Sequence, residues 1–146
     1  MAMFNTILVV CAGNICRSPT AEYWLKSKLA QSHINVSSAG LTALVGKGAE
    51  PTASNIALAD NIDMSGHQAR QLSPALILEN DLILVMEKRH LSDLLRQYPQ
   101  ARGKTFLLGK WLDDTEIPDP YRQSHEAFEH VYQLIDKACT AWQKYL

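Results

Sequence analysis

One stretch near the start of the chain, residues 7–20 with the sequence ILVVCAGNICRSPT, constrains the fold more than any other part. Its four opening residues are apolar and mostly β-branched, which is typical of a parallel strand buried on both faces, and the run ends at Cys11. A helix is predicted to begin a few residues later, with Ser18 as its N-cap and Pro19 at the first helical position. The pattern therefore predicts a strand, a tight loop and a helix in direct succession.

The loop between this strand and helix is suited to bind an anion. It consists of Ala12, Gly13, Asn14, Ile15, Cys16 and Arg17. The backbone N–H groups, the positive end of the helix dipole and the Arg17 guanidinium would point to one place, and a tetrahedral oxyanion fits there. The same positive potential favours thiolate over thiol at Cys11. We therefore predict that Cys11 attacks phosphorus to form a phosphocysteine while Arg17 binds two equatorial oxygens, with no metal or other cofactor.

Strands and helices alternate along the rest of the chain. Further strands are predicted at residues 34–39, 81–86 and 104–108, and helices at residues 20–31, 52–59, 73–78, 88–98 and 124–145. This alternation predicts an α/β fold in which a four-stranded parallel sheet is covered by helices on both faces. If the first strand is central, Cys11 falls at its carboxyl end beside the switch in strand order, where such sheets bind ligands.

Length and composition fit one domain over residues 1–146 and exclude several classes of protein. The chain is 47% hydrophobic and 20% charged, and its formal net charge of -1 gives no basic excess for nucleic acid or an anionic membrane. We expect a cytoplasmic enzyme without membrane insertion, because the N-terminal segment lacks the features of a secretory signal and no eighteen apolar residues run together. The three cysteines, Cys11, Cys16 and Cys139, indicate neither a disulfide framework nor a zinc site.

The motif CAGNICRSPTAE, at residues 11–22, resembles the active-site loop of the low-molecular-weight protein tyrosine phosphatases. The resemblance extends to the end of the chain. It implies a flavodoxin-like single domain that hydrolyses phosphotyrosine through a phosphocysteine. It also implies that the Ser18 hydroxyl forms a hydrogen bond that stabilises the Cys11 thiolate, particularly when Cys11 is the leaving group.

An acidic run that contains two prolines supplies a candidate general acid. Asp119 lies between Pro118 and Pro120, which exclude regular helix or strand and leave the carboxyl group little freedom to lose. The family that the chain resembles takes its acid from an Asp-Pro-Tyr loop, which residues 119–121 match, and the same carboxylate would then activate water. The alternative is a Pro-Asp-Pro turn in which Asp119 binds only its own backbone. Three nearby acids are expected to be solvated charges: Asp113, Asp114 and Glu116.

Three further residues are expected to support the loop. Asn14 tolerates a left-handed backbone, which gives it a structural role. In the family this asparagine anchors the loop through a serine and a histidine, and by position these match Ser38 and His67. We assign His67 a supporting role and do not interpret it as a catalytic base.

Two loop residues have competing interpretations. Arg17 could pair with Glu22 as a surface arginine, although so short a loop favours aiming it at the anion. Cys16 could be a small hydrophobic residue lining the loop. By resemblance, Cys16 could instead condense with a sulfenic acid on Cys11 and protect it from further oxidation. Cys139 follows the apolar stripe of the last predicted helix and is expected in the core.

The depth of the predicted pocket favours phosphotyrosine, since a longer aryl ester reaches a thiolate that phosphoserine cannot. Tyr121 would line one side of the cleft. Animal members of the family have a tryptophan on the other side, and here Leu41 is the nearest apolar candidate. The resemblance therefore points to the bacterial branch, whose members often serve tyrosine autokinases that govern capsule and exopolysaccharide export. We expect such a phosphoprotein as partner, and a monomer by default.

Other classes of protein remain as alternatives. Arsenate reductases share this fold and loop but need a further cysteine pair, whereas only Cys139 follows Cys16. A phosphocarrier subunit has a cysteine after its first strand but lacks the arginine at this spacing and the Asp-Pro loop. A non-catalytic phosphotyrosine-binding module would keep Arg17 while losing Cys11 or Asp119, and both are present.

Overall fold

A computed structural model describes residues 4–146, which contain one four-stranded parallel sheet. Its strands are β1 (Thr6–Cys11), β2 (Asn35–Gly40), β3 (Leu82–Val85) and β4 (Thr105–Leu107), in the order β2-β1-β3-β4. All three neighbouring pairs are parallel. The predicted four-stranded α/β fold is confirmed.

Helices cover both faces of the sheet. They are α1 (Arg17–Lys28), α2 (Pro51–Ala59), α3 (Pro74–Glu79), α4 (Lys88–Gln97) and α5 (His125–Gln143), with a short 3-10 helix at Pro99–Ala101. Apolar side chains of α1, α2 and α5 form one core cluster on one face. Those of α3 and α4 form a second cluster on the opposite face.

Strand β1 places Cys11 at the junction of the fold. Alternation along the strand turns Ile7, Val9 and Cys11 toward the α1 and α5 face, while Leu8 and Val10 pack on the other face. The chain leaves β1 to form β2 on one side and later returns to form β3 on the other. The carboxyl end of β1 therefore lies at the switch in strand order, where open α/β sheets bind ligands.

Helix α1 begins earlier than predicted. It starts at Arg17 rather than at residue 20, and its N-cap is Cys16, which makes no side-chain capping bond. The prediction that Ser18 caps this helix is therefore wrong. Its hydroxyl lies within hydrogen-bond distance of the Cys11 sulfur instead, because Ser18 belongs to the first helical turn, above the end of β1.

No helix within residues 4–146 is both long enough and apolar enough to cross a bilayer.

Candidate active site

The loop that follows β1 turns its carbonyl oxygens outward. The carbonyls of Cys11, Ala12 and Gly13 accept hydrogen bonds from the amides of residues 41, 42 and 44, at 2.9 to 3.0 Å. The carbonyl of Ile15 accepts from the Glu50 amide at 2.7 Å. Among residues 4–146, no backbone acceptor outside the helices and strands takes the amides of residues 13–16. The amides are therefore left to form a cradle for an anion, and helix α1 adds its positive dipole end.

Asn14 anchors the loop from behind. It is fully buried and adopts a left-handed backbone with φ of 60°. Its Nδ2 atom donates to Ser18 Oγ at 2.8 Å and to Ser38 Oγ at 2.9 Å. Its Oδ1 atom accepts from the Arg70 amide at 2.9 Å, and its carbonyl oxygen lies 2.6 Å from His67 Nε2. The structure thus brings Asn14, Ser38 and His67 together, as the resemblance implies.

Cys11 lies at the base of the cradle and is 3% exposed. Its sulfur lies 2.9 Å from Ser18 Oγ. Since Asn14 Nδ2 donates to the same hydroxyl oxygen, the Ser18 proton is free to point at the sulfur. The sulfur therefore has a hydrogen-bond donor beside it that can stabilise a thiolate.

Arg17 is 2% exposed and is held by two acceptors. Its Nη1 atom donates to Glu87 Oε2 at 2.5 Å and to the Ile117 carbonyl at 2.8 Å. The alternative pairing with Glu22 is wrong, because that carboxylate binds Lys26 and Ser38.

Burial raises the pKa of Glu87, but the hydrogen bonds from Arg17 and Arg89 outweigh burial and hold this pKa below its usual 4.5. Glu87 therefore stays charged and fixes the guanidinium.

His90 stands behind this ion pair. It is 3% exposed, its Nε2 atom lies 3.6 Å from Glu87 Oε2, and neither ring nitrogen has a hydrogen-bond partner among residues 4–146. Burial, and then the Arg17 guanidinium, lower the pKa of His90 below its usual 6.5, against the opposing effect of Glu87. His90 is therefore neutral at pH 7.

The loop that carries Asp119, residues 113–121 and here called the acid loop, is hydrogen-bonded to both sides of the start of α4. The Ile117 amide donates to the Met86 carbonyl at 2.9 Å, and Glu116 Oε2 accepts from the Lys88 amide at 2.7 Å. Glu116 is exposed, as expected for a solvated charge, but this hydrogen bond also gives it a structural role. It caps α4 from another segment, because the side chain of the helix's own N-cap, Glu87, is turned to Arg17 instead.

Asp119 lies over the cradle. Its Oδ2 atom is 3.8 Å from Arg17 Nη2, and its side chain is 45% exposed. Its Oδ1 atom accepts from the Tyr121 amide at 3.0 Å. The local turn that the alternative predicts is present and fixes one oxygen, but the carboxylate does not bind its own backbone alone, because the other oxygen lies near Arg17.

A cavity of about 210 Å³ lies between the loop and Asp119. Its walls come from the loop, from residues 42 and 44, and from Asp119 and Tyr121. Tyr121 lines it as expected, but Leu41 does not. Leu41 packs against the core cluster on the α3 and α4 face, because its amide is bound to the Cys11 carbonyl, and Leu44 lines the cleft instead.

Cys16 also lines this cavity and packs into the core cluster beneath α1. Burial, followed by the nearby Cys11, raises the pKa of the Cys16 thiol well above its usual value. Cys11, Cys16 and Cys139 are all free thiols. Among residues 4–146, no group of three histidine, cysteine, aspartate or glutamate side chains is placed to hold a metal ion.

Sequence reasoning missed several residues that complete the site: Thr42, Leu44, Glu87, His90 and Arg70. Glu87 and His90 follow the buried run at residues 82–85, the carboxyl end of β3. Since the carboxyl ends of parallel strands share one edge, that position was the available signal.

Comparison with known proteins agrees with the family resemblance of residues 11–22. Residues 6–146 match the sequence model of the low molecular weight phosphotyrosine protein phosphatase family. The chain is 52% identical over 144 residues to the low molecular weight protein-tyrosine-phosphatase Wzb of Salmonella typhimurium, covering 99% of this chain and 95% of that protein.

Solved structures agree with the sequence comparison. The structure of Vibrio vulnificus Wzb in complex with benzylphosphonate superposes with a TM-score of 0.94 and 52% identity, over 98% of this chain and 99% of that one. Wzb from Escherichia coli K30 in complex with sulphate superposes with a TM-score of 0.93 and 46% identity, over 97% and 98% of the two chains.

Proposed function

The chain belongs to the low molecular weight phosphotyrosine protein phosphatase family and is a protein-tyrosine phosphatase, and we propose that it works through a phosphocysteine on Cys11. One observation supports this proposal more strongly than the others. The outward carbonyls leave the loop amides to converge above the Cys11 sulfur, with Arg17 on the same cradle and Asp119 across the cavity. This arrangement can bind a phosphoryl group between a nucleophile and an acid.

In the first step the Cys11 thiolate attacks phosphorus and the bond from phosphorus to the tyrosine oxygen breaks. Arg17 and the loop amides bind the non-bridging oxygens, whose charge they stabilise in the transition state. Asp119 gives its proton to the departing tyrosine oxygen. The products of this step are tyrosine, a phosphocysteine and the Asp119 carboxylate.

In the second step the Asp119 carboxylate takes a proton from water as that water attacks phosphorus. The sulfur–phosphorus bond breaks, phosphate leaves, and Cys11 returns as a thiolate. The Ser18 hydroxyl, 2.9 Å from the sulfur, stabilises this leaving thiolate. The enzyme is then ready for another turnover.

The shape of the cavity supports phosphotyrosine as substrate. Cys11 lies at its buried base, and Leu44 and Tyr121 provide apolar walls on which an aryl ring can pack. The complex of Vibrio vulnificus Wzb with benzylphosphonate, a phosphonate that carries a benzyl group, supports the same choice.

The physiological substrate that we propose is a bacterial tyrosine autokinase governing capsule or exopolysaccharide export, on which the enzyme acts in the cytoplasm as a monomer. The support is the resemblance of residues 40–48 and of residues 117–122 to the bacterial branch. Dephosphorylation of the purified phosphorylated autokinase, with light scattering of the enzyme alone, tests both parts.

Hydrolysis of p-nitrophenyl phosphate without added metal tests the proposed mechanism. Cys11→Ser is expected to abolish turnover, and rapid quench of the parent enzyme is expected to trap a phosphoenzyme. Asp119→Asn is expected to lower kcat by roughly 10²- to 10³-fold for esters with poor leaving groups and less for p-nitrophenol. The matched control is Asp114→Asn, which also removes a carboxylate. A parent protein that binds phosphotyrosine without turning it over would instead be a non-catalytic recognition module.

A further inference from the structure

A second cavity opens beside the catalytic one, and we propose that its Lys47 binds an acidic side chain that neighbours the phosphotyrosine in the substrate chain. This inference rests on the proposed function, because it concerns the same substrate. It assigns the enzyme a preference for phosphotyrosine with aspartate or glutamate one or two residues away.

The two cavities share a wall. The second has a volume of about 340 Å³ and is bounded on the catalytic side by Ile15, Leu44 and Tyr121, which also line the first cavity. Its far side contains Lys47 and the start of α2. Neighbouring residues of an extended chain are about 3.3 Å apart along its axis. A chain that inserts phosphotyrosine into the first cavity thus brings its next residues over the second.

The main chain of Lys47 is fixed while its side chain is exposed. Its amide donates to the Leu44 carbonyl at 3.0 Å, and its carbonyl accepts from the Ala69 amide at 2.8 Å. Within residues 4–146, no carboxylate forms an ion pair with its ammonium group. Because the backbone of Lys47 is already fixed and its ammonium group is unpaired, binding an anion there costs little backbone entropy.

The other charged residues near the second cavity have contacts of their own. Glu50 lines the cavity, but its Oε1 atom accepts from the Ala53 amide at 3.0 Å and caps α2. Arg122 stacks over the Tyr121 ring at 5.3 Å, and Arg89 binds Glu87. Lys47 is therefore the one cation among the described residues that line this cavity, and its ammonium group is available to an acidic side chain.

The test compares phosphotyrosine peptides that differ in one residue. An alanine-based phosphotyrosine peptide is compared with versions that carry glutamate, and in parallel lysine, at each of the two positions before and after the phosphotyrosine. The parent enzyme is expected to favour glutamate over alanine at one or more of these positions by about threefold to fivefold in kcat/KM, as an exposed charge pair provides. Salt is expected to reduce this ratio.

Variants identify the cation that causes the preference for glutamate. Lys47→Ala is expected to bring the glutamate-to-alanine ratio close to one, and Lys47→Glu is expected to favour the lysine peptides. Lys28→Ala, which removes an exposed lysine outside both cavities, is expected to keep the parental ratio. A parent without any preference would overturn the inference, as would a ratio that survives Lys47→Ala but is lost in Arg122→Ala.

Failure of the inference and failure of the proposed function are distinguishable. If the parent enzyme hydrolyses p-nitrophenyl phosphate and all peptides equally well, the proposed function stands and the inference is wrong. If the parent hydrolyses neither, the proposed function fails, and the inference fails with it.

Discussion

The Ser18 hydroxyl oxygen lies 2.9 Å from the Cys11 sulfur and accepts a hydrogen bond from Asn14 Nδ2 at 2.8 Å. Asn14 Nδ2 also donates to Ser38, whose Oγ atom donates to Glu22 Oε1 at 2.5 Å. This buried chain sets the direction of each proton, because Glu22 can only accept and Asn14 Nδ2 can only donate. The Ser18 proton is left for the sulfur, which links the supporting network to the reacting atom.

Replacing Ser18 by alanine should slow the breakdown of the phosphocysteine more than its formation. A hydrogen bond to a charged group contributes about 1.5 to 3 kcal/mol, which corresponds to a loss of roughly tenfold or more in the second step. Stopped-flow release of p-nitrophenol should therefore show a larger burst before a slower steady state. Ser54→Ala, on α2, removes a hydroxyl that forms no side-chain hydrogen bond within residues 4–146, and it should behave like the parent. A Ser18→Ala enzyme with unchanged burst and steady-state rate would refute this role.

Replacing Gly40 by alanine should distort the cradle. A Cβ atom at Gly40 would lie 2.5 Å from the Ala12 carbonyl oxygen and 3.1 Å from Ala43, so the loop backbone must move. A shift of about 1 Å in a positioned group can cost on the order of 10²-fold in rate, and we expect a loss of this order in kcat/KM for p-nitrophenyl phosphate. Inhibition by phosphate should weaken in parallel.

Gly66→Ala is the matched control for Gly40→Ala. At Gly66 the nearest atom to an added Cβ is the Tyr23 hydroxyl at 4.0 Å, which leaves room for a methyl group. This variant should keep the parental kcat/KM and phosphate inhibition. Parental kinetics in Gly40→Ala would mean that the loop tolerates displacement.

Replacing Glu116 by alanine should loosen the acid loop and the start of α4 together. The loss of a side-chain cap typically costs about 1 kcal/mol in the free energy of unfolding. Because Glu116 lies close to Asp119 in the same loop, kcat should fall more for phenyl phosphate than for p-nitrophenyl phosphate, whose leaving group needs less protonation. Glu79→Ala, at the end of α3, should leave both stability and the leaving-group ratio unchanged. Equal losses with both esters would assign Glu116 a purely structural role.

The free energy of unfolding should fall as the pH drops below 6.5, and His90 should cause part of this fall. Because burial and Arg17 lower the pKa of His90 in the folded state, the unfolded chain binds more protons between that lowered pKa and 6.5. Stability contributed by neutral His90 is therefore complete above pH 6.5 and declines below it, by up to about 1.4 kcal/mol per pH unit. Glu87, Arg17, Arg89 and Asp93 are the charged groups around His90, and Glu87 titrates below this range.

Urea unfolding between pH 5 and 7.5 measures this dependence. His90→Leu should show a shallower fall than the parent, because leucine cannot take up a proton. His33→Gln, which removes an exposed histidine, should keep the parental slope. Parallel curves for His90→Leu and the parent would show that His90 does not control the acid sensitivity.

Much of the fold and the centre of the site could be predicted from local sequence. The buried strand, the loop residues 12–16 and Arg17 lie within one short stretch, so their spacing alone limits how they can be arranged. Asp119 was predicted from the two prolines that restrict its backbone and from the match of residues 119–121 to the Asp-Pro-Tyr loop of the family. The strand and helix positions followed from apolar periodicity, which depends only on neighbouring residues.

Tertiary structure alone decided how distant residues complete that site. Arg17 pairs with Glu87, 70 positions along the chain, rather than with the nearby Glu22. Leu44 rather than Leu41 lines the cleft, since the hydrogen bonds from residues 41–44 to the loop set which side chain faces the cavity. Local sequence fixes backbone propensity and spacing, but side-chain partners depend on which strand ends and loops pack together. From the sequence we could thus predict that Cys11, Arg17 and Asp119 share one site, whereas packing between distant segments sets which residues hold them in place.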